Sequence, residues 1–402
     1  MYYCESSIQK TSKREKMSPL RVLHLASFSG NIGDNANHMG FRPWFADQVG
    51  RNVEWTNCEI REFYWKERAF DADFVVLANS FDALVIGGGN YFELWVENSP
   101  TGTSIAITPE DFDKIDVPIL FNALGVDSGQ GVPDASRNNF TLFLSKLLAS
   151  DQYLVSVRND GAVDTLREEI SPDHANAVHQ IPDGGFFMRL PQNSKSPLLV
   201  PDTSYIGINV ANDMAEVRFA GFGKGAGNSE AFAEEFANMI TEVSKLHPDH
   251  HFIFFPHIFR DLDIILQVIL KLDDRLRRTR VTVAPYSSGD LAAANMFTIY
   301  QSCVLILAMR FHANVCSMGL GVPCIGLGCY RQIHKLYEEL GRSDECIDVS
   351  KPGFAGPLGA RISQTLHASG SIHAKTQAQV LGQRRDFENP LKDWAHKNSL
   401  LV

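Results

Sequence analysis

Val304-Leu305-Ile306-Leu307-Ala308-Met309-Arg310-Phe311-His312-Ala313 is the stretch on which the reading of the fold turns. Its first six residues are a continuous apolar run, the mark of a strand covered on both faces. A helical segment over 312–319 follows, then the turn Gly319-Leu320-Gly321-Val322-Pro323 and a second apolar run over 323–327. Strand, helix and strand in this rhythm make a βαβ unit of a parallel sheet.

The same rhythm extends outward in both directions. Strands are predicted at 205–210, 252–256 and 281–285, with helices at 261–271, 289–301 and 333–341. A glycine-rich loop, 221–227, leads to a helix beginning near Ser229, whose Phe232, Phe236, Ile240 and Val243 share one stripe. In the first half, strands are predicted at 21–28, 53–58, 82–87, 118–123 and 153–157, and helices at 134–150 and 160–170. Three prolines interrupt the pattern over 189–204, as a linker would. The expected architecture is therefore α/β, with two Rossmann-like doubly wound domains, 21–190 and 204–345, facing one cleft. Residues 1–20 are expected to be a disordered tail, and 346–402 an extension that packs back onto the first domain.

The composition fits this picture. The chain has 402 residues, 44% of them hydrophobic, and 37 Lys and Arg against 47 Asp and Glu, a net charge of −10. Disorder and collagen-like repeats are excluded. A dispersed negative charge excludes a nucleic-acid surface, which needs concentrated basic residues, and disfavours acidic lipid. Seven cysteines without a CxxC pair read as reduced thiols, and no metal is expected from them. The polar N-terminus lacks the apolar core of a signal peptide. No apolar stretch reaches the ~18 residues that span a bilayer, so a cytoplasmic location is expected.

Candidate functional residues cluster at predicted strand ends. Ser29-Gly30-Asn31-Ile32-Gly33-Asp34-Asn35 follows the first strand, where Asp34 can cap the next helix and backbone N–H groups can meet an anion. Gly87-Gly88-Gly89-Asn90 ends the third strand, and three glycines suit close approach of a ligand. Tyr91, Phe92 and Trp95 then form either core or the wall of a sugar site, and Glu93 could bind a sugar hydroxyl. Ser156-Val157-Arg158-Asn159-Asp160-Gly161 places the Arg158 fork at a sheet edge, with Asp160 as cap or partner. Asp183 is a turn residue or a site residue with equal support. In the second half, His257 and Asp261 are expected to face the cleft, His257 as a structural or a functional imidazole. Arg310 and His312, two residues apart at a strand end, can hold an anion together. Tyr330 could touch substrate, whereas His334 and Lys335 read as a solvated helix face.

Taken in order, Gly30-Asn31-Ile32-Gly33-Asp34, Gly87-Gly88-Gly89, Ser156-Val157-Arg158-Asn159-Asp160, Ile181-Pro182-Asp183, Arg310-Phe311-His312-Ala313 and Gly321-Val322-Pro323 resemble the polysaccharide pyruvyl transferase family over residues 21–345. The sequence departs from the family pattern after Tyr330, where the spacing to Lys335 is shorter, and Glu93 stands one place before the family's acidic position. The resemblance implies a glycosyltransferase-B-like pair of domains that moves the enolpyruvyl group of phosphoenolpyruvate onto two sugar hydroxyls. The donor, with about three negative charges, would be neutralised by Arg158, Arg310, His312 and backbone N–H groups, beside Gly88, Gly89 and Asn90. His312, or alternatively His257, would protonate the enol carbon. Asp34 or Asp261 would orient or deprotonate the acceptor, with Asn31, Glu93 and Tyr330 also contacting it. The implied partners are phosphoenolpyruvate and a sugar or glycan, lipid- or nucleotide-linked, with no metal or other cofactor. A nucleotide-sugar glycosyltransferase and a noncatalytic glycan-binding protein of the same fold are the alternatives.

Overall fold

A computed structural model describes residues 18–191, 199–223, 227–367 and 372–401, and its apolar runs form two six-stranded parallel sheets. The first contains β1 (Leu20–Ala26), β2 (Val53–Glu59), β3 (Ala83–Gly87), β4 (Ile119–Leu124), β5 (Tyr153–Val157) and β6 (His179–Gln180), in the order β2-β1-β3-β4-β5-β6. The second contains β7 (Ser204–Asn209), β8 (His250–Phe254), β9 (Val281–Val283), β10 (Cys303–Ala308), β11 (Cys324–Gly328) and β12 (Cys346–Asp348), in the order β9-β8-β7-β10-β11-β12. β3, β4 and β11 are buried at every position because helices cover both sheet faces. This is the α/β arrangement of two Rossmann-like domains facing a cleft.

Several boundaries differ from the sequence reading. Leu20, expected in the tail, is buried and opens β1, where it pairs with Val53; the expectation for residues 1–17 lies outside the described residues. The linker expected at 189–204 and the loop at 221–227 fall partly on 192–198 and 224–226, also outside them. The helix after that loop is already under way at Gly227, so Ser229 sits inside its first turn. β6 and β12 escape a sequence reading because neither His179-Gln180 nor Cys346-Ile347-Asp348 forms an apolar run. β12 also extends the second domain past residue 345, since Gly326, Leu327 and Gly328 pair with Cys346, Ile347 and Asp348.

The helix Ile372–Lys397 ties the domains together. Its first half docks on the second domain, where Val380 joins the core and Gln377 Nε2 donates to the Met318 and Gly319 carbonyls. Its second half crosses to the first domain, where Phe387, Leu391 and Trp394 pack with Leu20, Val22 and Trp44. Each large apolar side chain buried this way stabilises the crossing by about 1.5–3 kcal/mol. Trp394 Nε1 donates to the Gln152 carbonyl at 3.0 Å, which fixes the helix in register. Among the described residues no helix is long and apolar enough to cross a membrane.

Candidate active site

In a parallel sheet, ligands bind beyond the carboxyl ends of the strands where the strand order reverses. Here those points are β1/β3 in one domain and β7/β10 in the other, and a cavity of about 240 Å³ lies between them. Asn31, Asp34, Asn90 and Arg158 line it from the first domain, and His257, Arg310, His312 and Tyr330 from the second. The helices Ile32–Val49, Phe311–Gly319 and Arg331–Glu339 begin at its wall, with Asn31, Arg310 and Tyr330 as their N-cap residues. Asp160, just before the helix Ala162–Glu169, lines it too. Helix N-termini offer unpaired N–H groups and partial positive charge, so the cavity favours an anion. The Ile32–Val49 helix is capped by the Asn31 side chain, which accepts from Gly33 N–H at 3.0 Å; Asp34, the expected cap, lies in the first turn instead.

His312 occupies the first turn of its helix and reaches across the cleft. A Cβ on Gly33 would lie 2.5 Å from His312 Cβ, so this approach requires glycine there. Asp34 Oδ1 lies 3.6 Å from His312 Nδ1, and Asp183 Oδ2 lies 3.3 Å from Nε2. Each ring nitrogen thus faces a carboxylate, the partner set of an imidazole that holds and gives up a proton. Asp183 is fully buried and accepts from Asn37 Nδ2 at 2.6 Å and Gly185 N–H at 2.8 Å. Burial alone would raise its carboxyl, yet His312, Arg158 and the Gly185 N–H together hold it down to about 2. His38, buried behind these groups, is lowered to about 3 by desolvation and stays neutral at physiological pH.

The cations are held by carboxylates while keeping free N–H groups. Arg158 donates from Nε to Asp160 at 2.8 Å and stacks 4.2 Å from the Phe311 ring centre; its two terminal nitrogens have no acceptor among the described residues. Arg310 grips Asp261 through Nε and Nη2, and Nη2 also reaches Asp213 at 2.6 Å, leaving Nη1 without an acceptor among those residues. Asp213 pairs in turn with Arg218, which lies 4.8 Å from the Tyr330 ring centre.

Four sequence-derived expectations need correction. Asp261 is fully buried, receives Arg310 and accepts from the His257 and Ile258 N–H groups, so it positions Arg310 rather than meeting an acceptor. His257 is fully buried, and burial next to Arg310 and His312 drives its pKa well below the usual value. A neutral imidazole 2.8 Å from the Tyr300 hydroxyl lacks the proton that a general acid needs. Gly88 and Gly89 do not line the cavity: a Cβ at Gly88 would meet the Asn37 side chain and one at Gly89 the Tyr91 ring, so protein packing excludes a side chain there. Glu93 opens into a different cavity, beside Tyr64 and Trp95.

The sequence reading passed over Asp213, Arg218, Asp127 and Arg61. Asp213 had a signal, since it follows β7 at the same sheet edge as Arg310. Asp127 lines the cavity and accepts from Asn90 Nδ2 at 3.0 Å, while Asn90 Oδ1 accepts from Gln332 of the other domain at 2.9 Å. Lys335 pairs with Asp164 across the domain boundary instead of facing only solvent.

Comparison with known proteins places the chain in a family. The family model for polysaccharide pyruvyl transferase matches residues 24–330. The chain belongs to the polysaccharide pyruvyl transferase family. The matched segment holds the last three residues of β1, all of β2 through β11 and every residue named above as lining the cavity. No curated relative matches the sequence. Among solved structures, a candidate UDP-N-acetylglucosamine 2-epimerase from Listeria monocytogenes is similar with TM-score 0.55 and 11% identity, over 90% of this chain and 91% of that one. The S. aureus MnaA–UDP complex has TM-score 0.53 and 10% identity, over 92% and 97%. The UDP-GlcNAc 2-epimerase of Methanocaldococcus jannaschii has TM-score 0.52 and 12% identity, over 90% and 99%. At such identities the likeness is one of fold, and it agrees with the two-domain architecture of this transferase family member.

Proposed function

We propose that this chain transfers the enolpyruvyl group of phosphoenolpyruvate onto two hydroxyls of a sugar or glycan, forming a cyclic ketal and releasing phosphate. One observation carries the reading: helix N-termini and the free nitrogens of Arg158 and Arg310 surround a small cavity beside an imidazole flanked by two carboxylates. The arginines and N–H groups would hold the donor's carboxylate and phosphate. His312 would protonate the methylene carbon, turning CH₂ into CH₃ and leaving an electron-poor carbon that the first hydroxyl attacks. Asp34 takes that hydroxyl's proton. Loss of phosphate and attack by the second hydroxyl, whose proton leaves with the phosphate, close the ketal. Asp183 keeps the His312 ring oriented throughout. A positioned acid of this kind contributes about 10²–10⁴-fold.

The test is thermal unfolding of the purified protein with phosphoenolpyruvate or with UDP at equal concentration, on wild type and Arg158→Lys, followed by phosphate release with a panel of pyranose acceptors. A ligand at 100 times its Kd stabilises by about 2.7 kcal/mol. Phosphoenolpyruvate should stabilise wild type and lose that effect in Arg158→Lys, because lysine lacks the fork. Stabilisation by UDP alone would refute the donor assignment and favour glycosyl transfer. Donor binding without phosphate release from any acceptor would favour a noncatalytic glycan-binding protein.

A further inference from the structure

A second and larger cavity, about 880 Å³, opens on the first domain beside the cleft. Its walls include Phe63, Tyr64, Phe70, Glu93, Trp95 and Ser104. Phe63 stacks on Phe70 with ring centres 4.0 Å apart, which leaves a firm aromatic floor, while Tyr64 is half-exposed at the mouth. The Ser104 hydroxyl donates to Glu93. Burial raises the Glu93 carboxyl to about 7 against the Ser104 hydrogen bond, with Asp127 adding to the rise. A carboxyl near half-protonation both donates to and accepts from neutral hydroxyls. The Trp95 indole N–H is buried without an acceptor among the described residues, so Trp95 offers the cavity its ring rather than a donor. At the rim, Lys66 and Arg68 offset Glu67 and Asp71, so the charge there selects no ion. Aromatic faces that pack against the C–H side of a ring, next to groups that bind hydroxyls, are the equipment for an uncharged sugar.

Two contacts link the wall of this cavity to that of the cleft. Glu93 pairs with Asp127 across a two-residue ladder, and Asp127 lines the catalytic cavity. Arg61 Nη2 lies 3.8 Å from Asp34, and Arg61 opens the single helical turn that ends at Tyr64. Three residues along a helix advance about 4.5 Å, comparable to one sugar ring. We propose that the Tyr64–Trp95–Glu93 cavity is a second carbohydrate subsite, which holds the sugar adjoining the one modified in the cleft. It rests on the reading above that the acceptor is a sugar, and it adds that the acceptor is an oligosaccharide of at least two residues.

The test is saturation-transfer NMR of the purified protein with pyranose trimers of glucose, galactose, mannose and N-acetylglucosamine, each beside its methyl monosaccharide, without phosphoenolpyruvate. At least one trimer should bind better than its monosaccharide. Tyr64→Ala and Glu93→Ala should each weaken that trimer about three- to ten-fold, the worth of one aromatic or hydrogen-bond contact. An unchanged melting temperature of the ligand-free protein would show that both variants keep the fold intact. No trimer binding to wild type, or trimer binding indifferent to both substitutions, would overturn the subsite. Because the assay contains no donor, failure of the phosphoenolpyruvate assignment would leave its outcome readable.

Discussion

Asp183→Asn tests the physical core of the site most directly. The carboxyl sits at about 2 in the folded protein against 3.8 for a free aspartate, a gap worth about 2.5 kcal/mol in favour of the charged form. Asparagine keeps the shape and removes the charge. It also turns an N–H₂ group toward donors already in place, since Asn37 Nδ2 and the Gly185 N–H both point at the present carboxylate. The variant should therefore lose about 2–3 kcal/mol of stability at pH 7, a fall in Tm of about 5–10 °C if the domain unfolds as a unit of ordinary size. The direction with pH follows from the depressed pKa. This stabilisation is complete above 3.8 and is lost as pH falls through about 2, so the gap between wild type and variant should narrow by about half at pH 3. Denaturant unfolding at pH 7 and pH 3, with phosphate release measured alongside, reads both effects. The freed His312 ring should reduce turnover by about 10²-fold or more. A variant within 0.5 kcal/mol of wild type at pH 7, by order of magnitude, would refute the argument that His312 and Arg158 are braced by a charged Asp183.

Other expectations concern packing, pairing and domain contact. Gly33→Ala should destabilise by about 1–3 kcal/mol and impair catalysis, because the new Cβ would sit 2.5 Å from His312 Cβ; Gly356→Ala, with nothing within 4 Å, should be neutral or slightly stabilising in the same melts. Arg310→Ala should cost about 3–5 kcal/mol by stranding the fully buried Asp261, and Arg310→Ala with Asp261→Ala should recover part of that in denaturant titrations. If the double variant is no more stable than the single, the stranded charge is not the cause. Glu339 accepts from Gly161 N–H at 2.8 Å and Gln180 Nε2 at 2.9 Å across the domain boundary, and burial raises it to about 7. Its stabilising contribution is full below 4.5 and is lost as pH rises through about 7, as for Glu93. Glu339→Gln should thus flatten the decline in Tm between pH 5 and pH 7, and an unaltered slope would exclude this contact as its source.

The parts that were legible in the sequence share a local cause. Strands buried on both faces have to be largely apolar, so β3, β4 and β11 announce themselves within one or two residues of their ends, as does β10, in which only Val304 is exposed. Polar residues that follow such a run stand at the sheet edge where ligands bind, which is why Arg158, Arg310 and His312 could be singled out. β6 and β12 could not, because neither holds an apolar run and their pairing depends on a neighbouring strand.

Side-chain depth and direction were not legible. Asp261 and Asp34 both follow strands as acidic residues near a helix start, yet the first is sealed beneath Arg310 and the second opens to the cavity. The glycines at 88 and 89 signal only that a Cβ has no room, a signal identical whether the neighbour is a ligand or, as here, Asn37 and Tyr91. Glu93 carries the chemistry of a sugar contact, but the short ladder to Asp127 turns it into the neighbouring cavity.

By itself the sequence determined the two-domain α/β plan, the strand ends and the inventory of cations and carboxylates, because burial and periodicity act over a few residues. Only the tertiary structure decided which of those groups meet. His312 and Asp183 are 129 residues apart and pair across the cleft, and Arg310 reaches Asp213 and Asp261 from 97 and 49 residues away. Such pairings are set by how the two sheets pack and by the glycine that lets His312 approach Asp34, and packing over that range leaves no imprint on local pattern.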